Sequence, residues 1–329
     1  MTEKIALEEH FAIPEYNQDR LPFLEPTWWR DVQRRLVDFE ELRLPTMDRH
    51  GIGFAVVSLT TPGVQGETDV AQAVQRASRA NDVLAEAVAA RPDRFGGFAA
   101  VALQDVDAAV AELDRAVRQL GFHGVLVNSW TNLPDGVGHL DEDRFDPFWE
   151  RLEELQVPLY LHPRQLAVGQ REIMAGRPEL AGPVWEFGAD CSASALRLIT
   201  SGLFDRHPEA QVVLGHLGEG LPYDIGRIEN RMKISAYRTE LRRSPTEYLR
   251  ENFHITTSGH FSTPSLQAAT TVMGVDRVLF SVDYPYESTE EAATWFDSLE
   301  LADADRRSIG AENAVRLLGL KPDVRVAGT

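Results

Sequence analysis

Eight short runs rich in Val, Ile, Leu and Phe recur along this 329-residue chain, each separated from the next by a longer stretch. They fall at 5–10, 54–59, 95–103, 124–129, 157–162, 211–216, 253–258 and 278–283. Runs of this kind read as buried strands. Between them the apolar period lengthens. Val70, Ala73, Val74, Ala77, Val83 and Leu84 gather near one side of a helix over 69–90, and Val110, Leu113, Val117 and Leu120 do so over 106–120. Caps agree: Asp105 precedes one helix, and Ser288 and Thr289 precede Glu290 and Glu291 in the last. Strands alternating with helices require βαβ units and a parallel sheet. Eight repeats predict an α/β fold of the closed (β/α)8 TIM barrel type, one domain over 1–329, rather than an open doubly wound sheet. Two irregular stretches, 11–29 and 163–185, follow strands directly. Segments so placed lie on the C-terminal face of a barrel, where its chemistry sits, and loops this long are usually functional.

Charge narrows the partners. With 51 acidic and 33 basic residues, the formal net charge is −18. Such a field repels nucleic-acid phosphates and anionic membranes, so neither is an expected partner. An acidic substrate would need positive charge supplied locally. No apolar run approaches the roughly 18 residues of a membrane span, and the first ten residues are charged where a secretion signal is apolar. The one cysteine, Cys191, cannot form an internal disulfide. A cytoplasmic enzyme is the expectation.

The strand ends carry the chemistry. The first strand ends Glu8-Glu9-His10, the fifth Leu161-His162, the sixth Gly215-His216 and the eighth Val282-Asp283. Side chains alternate along a strand, so Glu8 and His10 share a face while Glu9 points away. A buried carboxylate without a partner is costly, so Glu8 in a barrel interior needs a cation or a proton donor. With His162 and Asp283 the set offers two nitrogens and two oxygens. That mixture suits Zn²⁺, Mn²⁺ or Fe²⁺ better than Ca²⁺ or Mg²⁺, with open positions for water or substrate. A single histidine at a strand end is more often a hydrogen-bonded structural residue. Four strands delivering such residues to one end point instead to one divalent ion among Glu8, His10, His162 and Asp283. His216 reads better as a base or orienting group beside that ion, its imidazole oriented by Glu219.

Other candidates stay open. Arg227, on an expected helix over 223–234, could hold a carboxylate or phenolic oxygen bidentately, or pair with Glu229 or Glu219 on the surface. Arg164 allows the same two readings. His50 and His207 fall at helix ends, His139 in a polar loop and His123 before a strand. His254 and His260 flank the end of the seventh strand; His260 could line a pocket but reads more readily as a solvated loop residue. The pair Trp28-Trp29 reads as packing more readily than as a substrate platform.

Taken together, four segments resemble the amidohydrolase-related aromatic acid decarboxylases. They are Ala6-Leu7-Glu8-Glu9-His10-Phe11-Ala12-Ile13-Pro14, Tyr160-Leu161-His162-Pro163-Arg164, Leu214-Gly215-His216-Leu217-Gly218-Glu219-Gly220 and Leu279-Phe280-Ser281-Val282-Asp283-Tyr284-Pro285-Tyr286-Glu287. The γ-resorcylate (2,6-dihydroxybenzoate) decarboxylases are nearest, with the 2,3-dihydroxybenzoate and salicylate enzymes beside them. The resemblance runs to about Leu318 and takes in stretches without catalytic residue types, such as Arg79-Ala80-Asn81-Asp82.

This resemblance implies a mononuclear site with Glu8, His10, His162 and Asp283 holding Zn²⁺ or Mn²⁺, and a dimer or tetramer. It implies a small aromatic carboxylic acid as substrate, His216 with Glu219 beside it, Arg227 binding it, and Phe23 and Asn128 lining its pocket. Asp283 would also deliver the proton that replaces CO₂. The family's Asp-Trp-Pro-Phe-Glu is here Asp283-Tyr284-Pro285-Tyr286-Glu287, so Tyr286 brings a hydroxyl to the pocket where the resorcylate enzymes have an apolar ring. Binuclear relatives carry a bridging lysine on the fourth strand, and 124–129 has none. Two other functions share these ligands: a mononuclear hydrolase of a lactone or amide, and a non-catalytic protein binding a metal or an aromatic acid.

Overall fold

The computed structural model describes residues 4–16, 24–237 and 239–320. Its strands are β1 (Lys4–Phe11), β2 (Ile52–Leu59), β3 (Phe95–Gly97), β4 (Val125–Asn128), β5 (Trp130–Leu133), β6 (Gly136–His139), β7 (Leu159–His162), β8 (Val212–Leu214), β9 (Phe253–Thr256) and β10 (Val278–Leu279). Parallel neighbours run β1-β2-β3 and β10-β9-β8-β7-β4. Two bridges join these runs, Ala99 with Val125 and Glu9 with Tyr284. Amides of Ala99 and Asp283 donate to the carbonyls of Gly124 and Glu8, each at 2.9 Å, across the two seams. Eight parallel strands thus close into a (β/α)8 barrel, and the antiparallel hairpin β5–β6 stands apart from the ring. No helix among the described residues is long and apolar enough to cross a membrane.

Helix caps follow the sequence. Asp69 accepts from the Gln72 amide to start Val70–Ala90, Asp105 from Ala108 to start Val106–Arg118, and Ser288 from Glu291 to start Thr289–Ser298. Two strands, β3 and β10, fall furthest short of their apolar runs. The backbone of Ala100 leaves the ladder to exchange two hydrogen bonds with the Asn81 side chain, at 2.8 and 2.9 Å. Beyond Leu279, Phe280 bonds to the Ile309 carbonyl, and the amides of Ser281 and Val282 bond to the side chains of Thr257 and Glu9. Side-chain competition for backbone groups ends both strands.

Two cores result. Ile5, Leu7, Phe54, Val56, Phe98, Leu126, Tyr160, Val213 and Leu279 fill the barrel interior, closed at the N-terminal end by Ala314 and Leu318 of helix Asn313–Leu318. The larger core lies between ring and helices, where Ala6, Leu161, Leu214 and Ile255 meet Ala77, Leu113, Trp149 and Leu198.

β1 carries the feature that positions the site. Ala6 pairs with Ala55 but Glu9 with Val57, so β1 takes three steps where β2 takes two. This β-bulge inverts the phase of the strand. The amides of Leu7 and Glu8 both donate to Ser281 Oγ, at 2.8 and 3.0 Å. Below the bulge Ile5 and Leu7 face the interior; above it Glu8 and His10 do. Glu9 points away, accepting from the amides of Val282 (3.0 Å) and Tyr284 (3.3 Å), and so fastens β1 to the segment after β10. Glu9→Gln would set an amide NH₂ against one of those donors. The expected cost is about 1–3 kcal/mol, read as a lower urea midpoint with an unchanged slope.

A candidate metal centre at the barrel mouth

Ligand atoms of Glu8, His10 and His162 all lie within 4.8 Å of one another. Asp283 joins them from the turn after β10, its Oδ1 3.2 Å from His10 Nε2, while Glu8 Oε1 is 3.5 Å from His162 Nε2. Glu8 Oε1, His10 Nε2 and Asp283 Oδ1 are buried with no hydrogen-bond partner. Leaving one such atom unmet is costly; three converging on one point suit a cation. Two ligands on one ion with bonds of about 2.1 Å sit about 3.0–3.4 Å apart, close to the separations seen. Two imidazoles with two carboxylates match Mn²⁺ or Zn²⁺.

Each donor is aimed from behind. Glu8 Oε2 accepts from Tyr160 Oη, Ser258 Oγ and Thr256 Oγ1, which leaves Oε1 facing the cluster. Gly215 allows this approach, because a Cβ there would stand 2.6 Å from Glu8 Oε2. His10 Nδ1 lies 3.3 Å from Ser58 Oγ. His162 Nδ1 lies 2.8 Å from the Pro163 carbonyl and 3.0 Å from Asn128 Oδ1. Both rings therefore turn Nε2 inward. Burial raises the Glu8 pKa, and burial with His10 nearby holds His162 well below the usual histidine range. Burial would raise Asp283 too, but the imidazoles of His10 and His216 beside it bring it down to about 2.

His216 stands beside the cluster. Its Nδ1 is 2.7 Å from Glu219 Oε1 and its Nε2 3.8 Å from Asp283 Oδ2. The backbone here is strained: His216, Leu217, Glu219 and Asp283 have φ of 50°, 54°, 56° and 78°. Such conformations persist in non-glycine residues only where the surroundings enforce them, commonly at working sites.

His162, His216, Glu219 and Asp283 border a cavity of about 760 Å³ at the C-terminal ends of the strands. Its apolar wall includes Trp28, Trp185, Phe187 and Tyr286. A groove of about 810 Å³ at the opposite end of the barrel, bordered by Glu153, Gln211, His254 and Arg277, touches none of the candidate ligands.

Tyr286 lies on the cavity wall, its hydroxyl bonded to Thr60 Oγ1 and its ring 5.7 Å from that of His10. Asn128 does not line the cavity. It is buried behind His162, with Nδ2 turned to Gln65. Arg227 is exposed on helix Leu221–Met232, one turn beyond the mouth, and borders a separate groove with Asp224, Ile228 and Arg231. Arg164 is buried flat over the Trp130 ring at 3.5 Å and donates to the carbonyls of Gln65 and Trp130. Phe23 lies outside the described residues. Two further readings are corrected. Trp29 packs with Val32 and Leu36, but Trp28 faces the cavity. His260 is no solvated loop residue: it borders the cavity, its Nδ1 3.2 Å from the His216 carbonyl.

Tyr160, Thr256 and Ser258, which hold Glu8, escaped the sequence reading. The signal was present: Tyr160 lies two residues before His162 on the same strand face, and Thr256 and Ser258 are two apart in the apolar run 253–258, a spacing that puts both on one side. Glu287, also missed, borders the cavity with its pKa pushed up to about 7 by burial and by Asp283.

The chain is similar to known proteins over nearly its whole length. A family model described as amidohydrolase matches residues 10–320. The γ-resorcylate decarboxylase of Rhizobium sp. (strain MTP-10005) is 48% identical over 325 residues, covering 97% of this chain and 99% of the relative. A crystal structure of 2,6-dihydroxybenzoate decarboxylase complexed with 2,6-dihydroxybenzoate superposes with a TM-score of 0.94 at 47% identity, covering 97% of this chain and 100% of that one. The dihydroxybenzoic acid decarboxylase of Polaromonas sp. JS666, with bound manganese and the inhibitor 2-nitroresorcinol, gives 0.94 at 42% identity, covering 99% and 100%.

Because His216 lies outside the converging set, His216→Asn should keep its full complement of divalent metal, measured by elemental analysis of purified protein. A metal-free variant would make His216 a ligand.

Proposed function

The chain belongs to the amidohydrolase family, and within it we propose a metal-dependent, non-oxidative decarboxylase of an ortho-hydroxybenzoate such as 2,6-dihydroxybenzoate. The reaction is reversible, carboxylating phenols in the other direction. The observation that carries this reading is the convergence of Glu8 Oε1, His10 Nε2 and Asp283 Oδ1, unpartnered, beside a cavity with aromatic walls. The relatives above, named for this reaction and one holding manganese, support it. The hydrolase and binding-protein readings draw no support from them.

Glu8, His10, His162 and Asp283 would hold one Mn²⁺ or Zn²⁺. Such an ion supplies Lewis-acid polarisation of a substrate oxygen. The rest falls to side chains. Decarboxylation exchanges CO₂ for a proton at one ring carbon. Asp283 takes a proton from the substrate hydroxyl on binding and delivers it to that carbon. The ring loses its aromaticity, the C–C bond breaks, and its electron pair returns to the ring as CO₂ leaves. Glu219 holds His216 Nδ1, so that Nε2 faces Asp283 and the cavity, where it can meet a substrate oxygen. The apolar wall excludes water and stacks the ring. We place the enzyme in the cytoplasm, in aromatic-compound breakdown, as a homodimer or tetramer.

The manganese-loaded protein should release CO₂ from 2,6-dihydroxybenzoate in a panel of ortho-hydroxybenzoates and leave lactones and amides intact; hydrolysis without CO₂ release would sink the proposal. Asp283→Asn should bind substrate yet lose kcat by about 10³-fold or more. Loss of metal in proportion to activity would leave Asp283 a ligand alone.

A further inference from the structure

Gln65, in the loop after β2, is buried and borders neither the cavity nor the ligand cluster. Both ends of its side chain are engaged. Nε2 donates to the Val101 carbonyl at 2.8 Å. A backbone carbonyl only accepts, so the amide has one permitted orientation, with Oε1 toward β4. That oxygen accepts from Asn128 N at 3.4 Å and from Asn128 Nδ2 at 3.3 Å. Asn128 is thereby oriented too: Nδ2 faces Gln65, and Oδ1 faces His162 Nδ1 at 3.0 Å. Two oxygens around Nδ1, from Asn128 and Pro163, are compatible only with a proton on that nitrogen. The lone pair of the neutral ring then lies on Nε2, the atom nearest Glu8 Oε1.

The loop itself is gripped. Arg164, buried over Trp130, donates to the Gln65 carbonyl at 3.0 Å. Gly63 has φ +56°, and a Cβ there would stand 2.5 Å from Asn128 Nδ2, so only glycine lets the loop close on this amide.

We infer that Gln65 and Asn128 are positioning residues, forming a hydrogen-bond relay of fixed polarity that starts at the Val101 carbonyl and decides which nitrogen of His162 faces the metal centre. The inference rests on the metal-centre reading above. It replaces the pocket-lining role that the resemblance implied for Asn128. Removing the partner of a ligating histidine commonly weakens metal binding by about 10–100-fold.

The test measures Mn²⁺ dissociation constants by chelator competition for the full-length wild type, Gln65→Leu and Asn128→Leu. The Nδ1–H signal of His162 is followed by ¹⁵N NMR in the Zn²⁺-loaded proteins. Asn128→Leu should bind Mn²⁺ about tenfold or more weakly. Gln65→Leu, which touches no ligand, should weaken binding in the same direction and shift the Nδ1–H signal, because Asn128 is then free to turn its amide. Should the leucine variant of Gln65 fail to fold, Gln65→Met, of matching length, replaces it with the same expectation. Wild-type affinity and an unshifted Nδ1–H in the Gln65 variants would overturn the relay. Absence of stoichiometric Mn²⁺ binding by the wild type would overturn the metal-centre reading itself.

Discussion

The rest of the site depends on one buried carboxylate being satisfied on one oxygen and left bare on the other. Glu8 is fully buried, and three hydroxyls converge on its Oε2. None reaches Oε1. In a low-dielectric interior such a carboxylate calls for a cation or a proton on the bare side. The Tyr160 ring belongs to the inner core while its hydroxyl belongs to Glu8. Packing of the barrel floor therefore sets the direction of the carboxylate. A core substitution that shifts Tyr160 acts on the site although it touches no ligand.

The same economy shapes the seam where the barrel closes. Regular pairing of β10 stops at Leu279, four residues before Asp283. Beyond that point two backbone hydrogen bonds, from Asp283 to the Glu8 carbonyl and from His10 to the Tyr284 carbonyl, are reinforced by Ser281 Oγ beneath the bulge, by the Glu9 carboxylate on the outer side, and by Arg43, which donates to the His10 carbonyl and lies over the Tyr284 ring at 4.5 Å. Side chains can hold a backbone in conformations that a ladder cannot. That is how Asp283 sits at positive φ with its carboxylate turned into the cluster. Closure and chemistry use the same few residues.

Much of this was legible in the sequence, for definite reasons. Strand and helix periods are local, so the eight repeats and the barrel could be read directly. Strand ends lie at one face of a barrel, so Glu8, His10, His162 and Asp283 could be expected to approach one another. Simple alternation placed Glu8 and His10 on one face. It could not show the bulge beneath them, because the group that stabilises it, Ser281, lies more than 270 residues away in the chain. Long-range hydrogen bonding also explains Asn128. The resemblance implied a place in the pocket, but Gln65 and His162 claim both ends of its amide. Arg227 failed to reach the cavity for a geometric reason: its helix leaves the mouth after Asp224, and a residue one turn further lies outside.

Charge then links metal and substrate. The chain is strongly acidic, and Glu8, Asp283 and Glu219 place three carboxylates around the site, with Glu287 at the cavity wall. Among the described residues, no lysine or arginine borders the cavity: Arg164 is committed to Trp130, and Arg227 lies outside. A hydroxybenzoate is itself an anion, and charges meeting in a water-poor cavity are poorly screened. His216 alone cannot balance such a set. The attraction an aromatic acid needs must therefore come largely from the ion that these carboxylates hold. Substrate affinity and metal affinity become coupled quantities, each raising the other by the same factor. An acidic surface is no obstacle to an acidic substrate on this account, since the carboxylates that repel the bare anion are also the groups that gather its counter-charge.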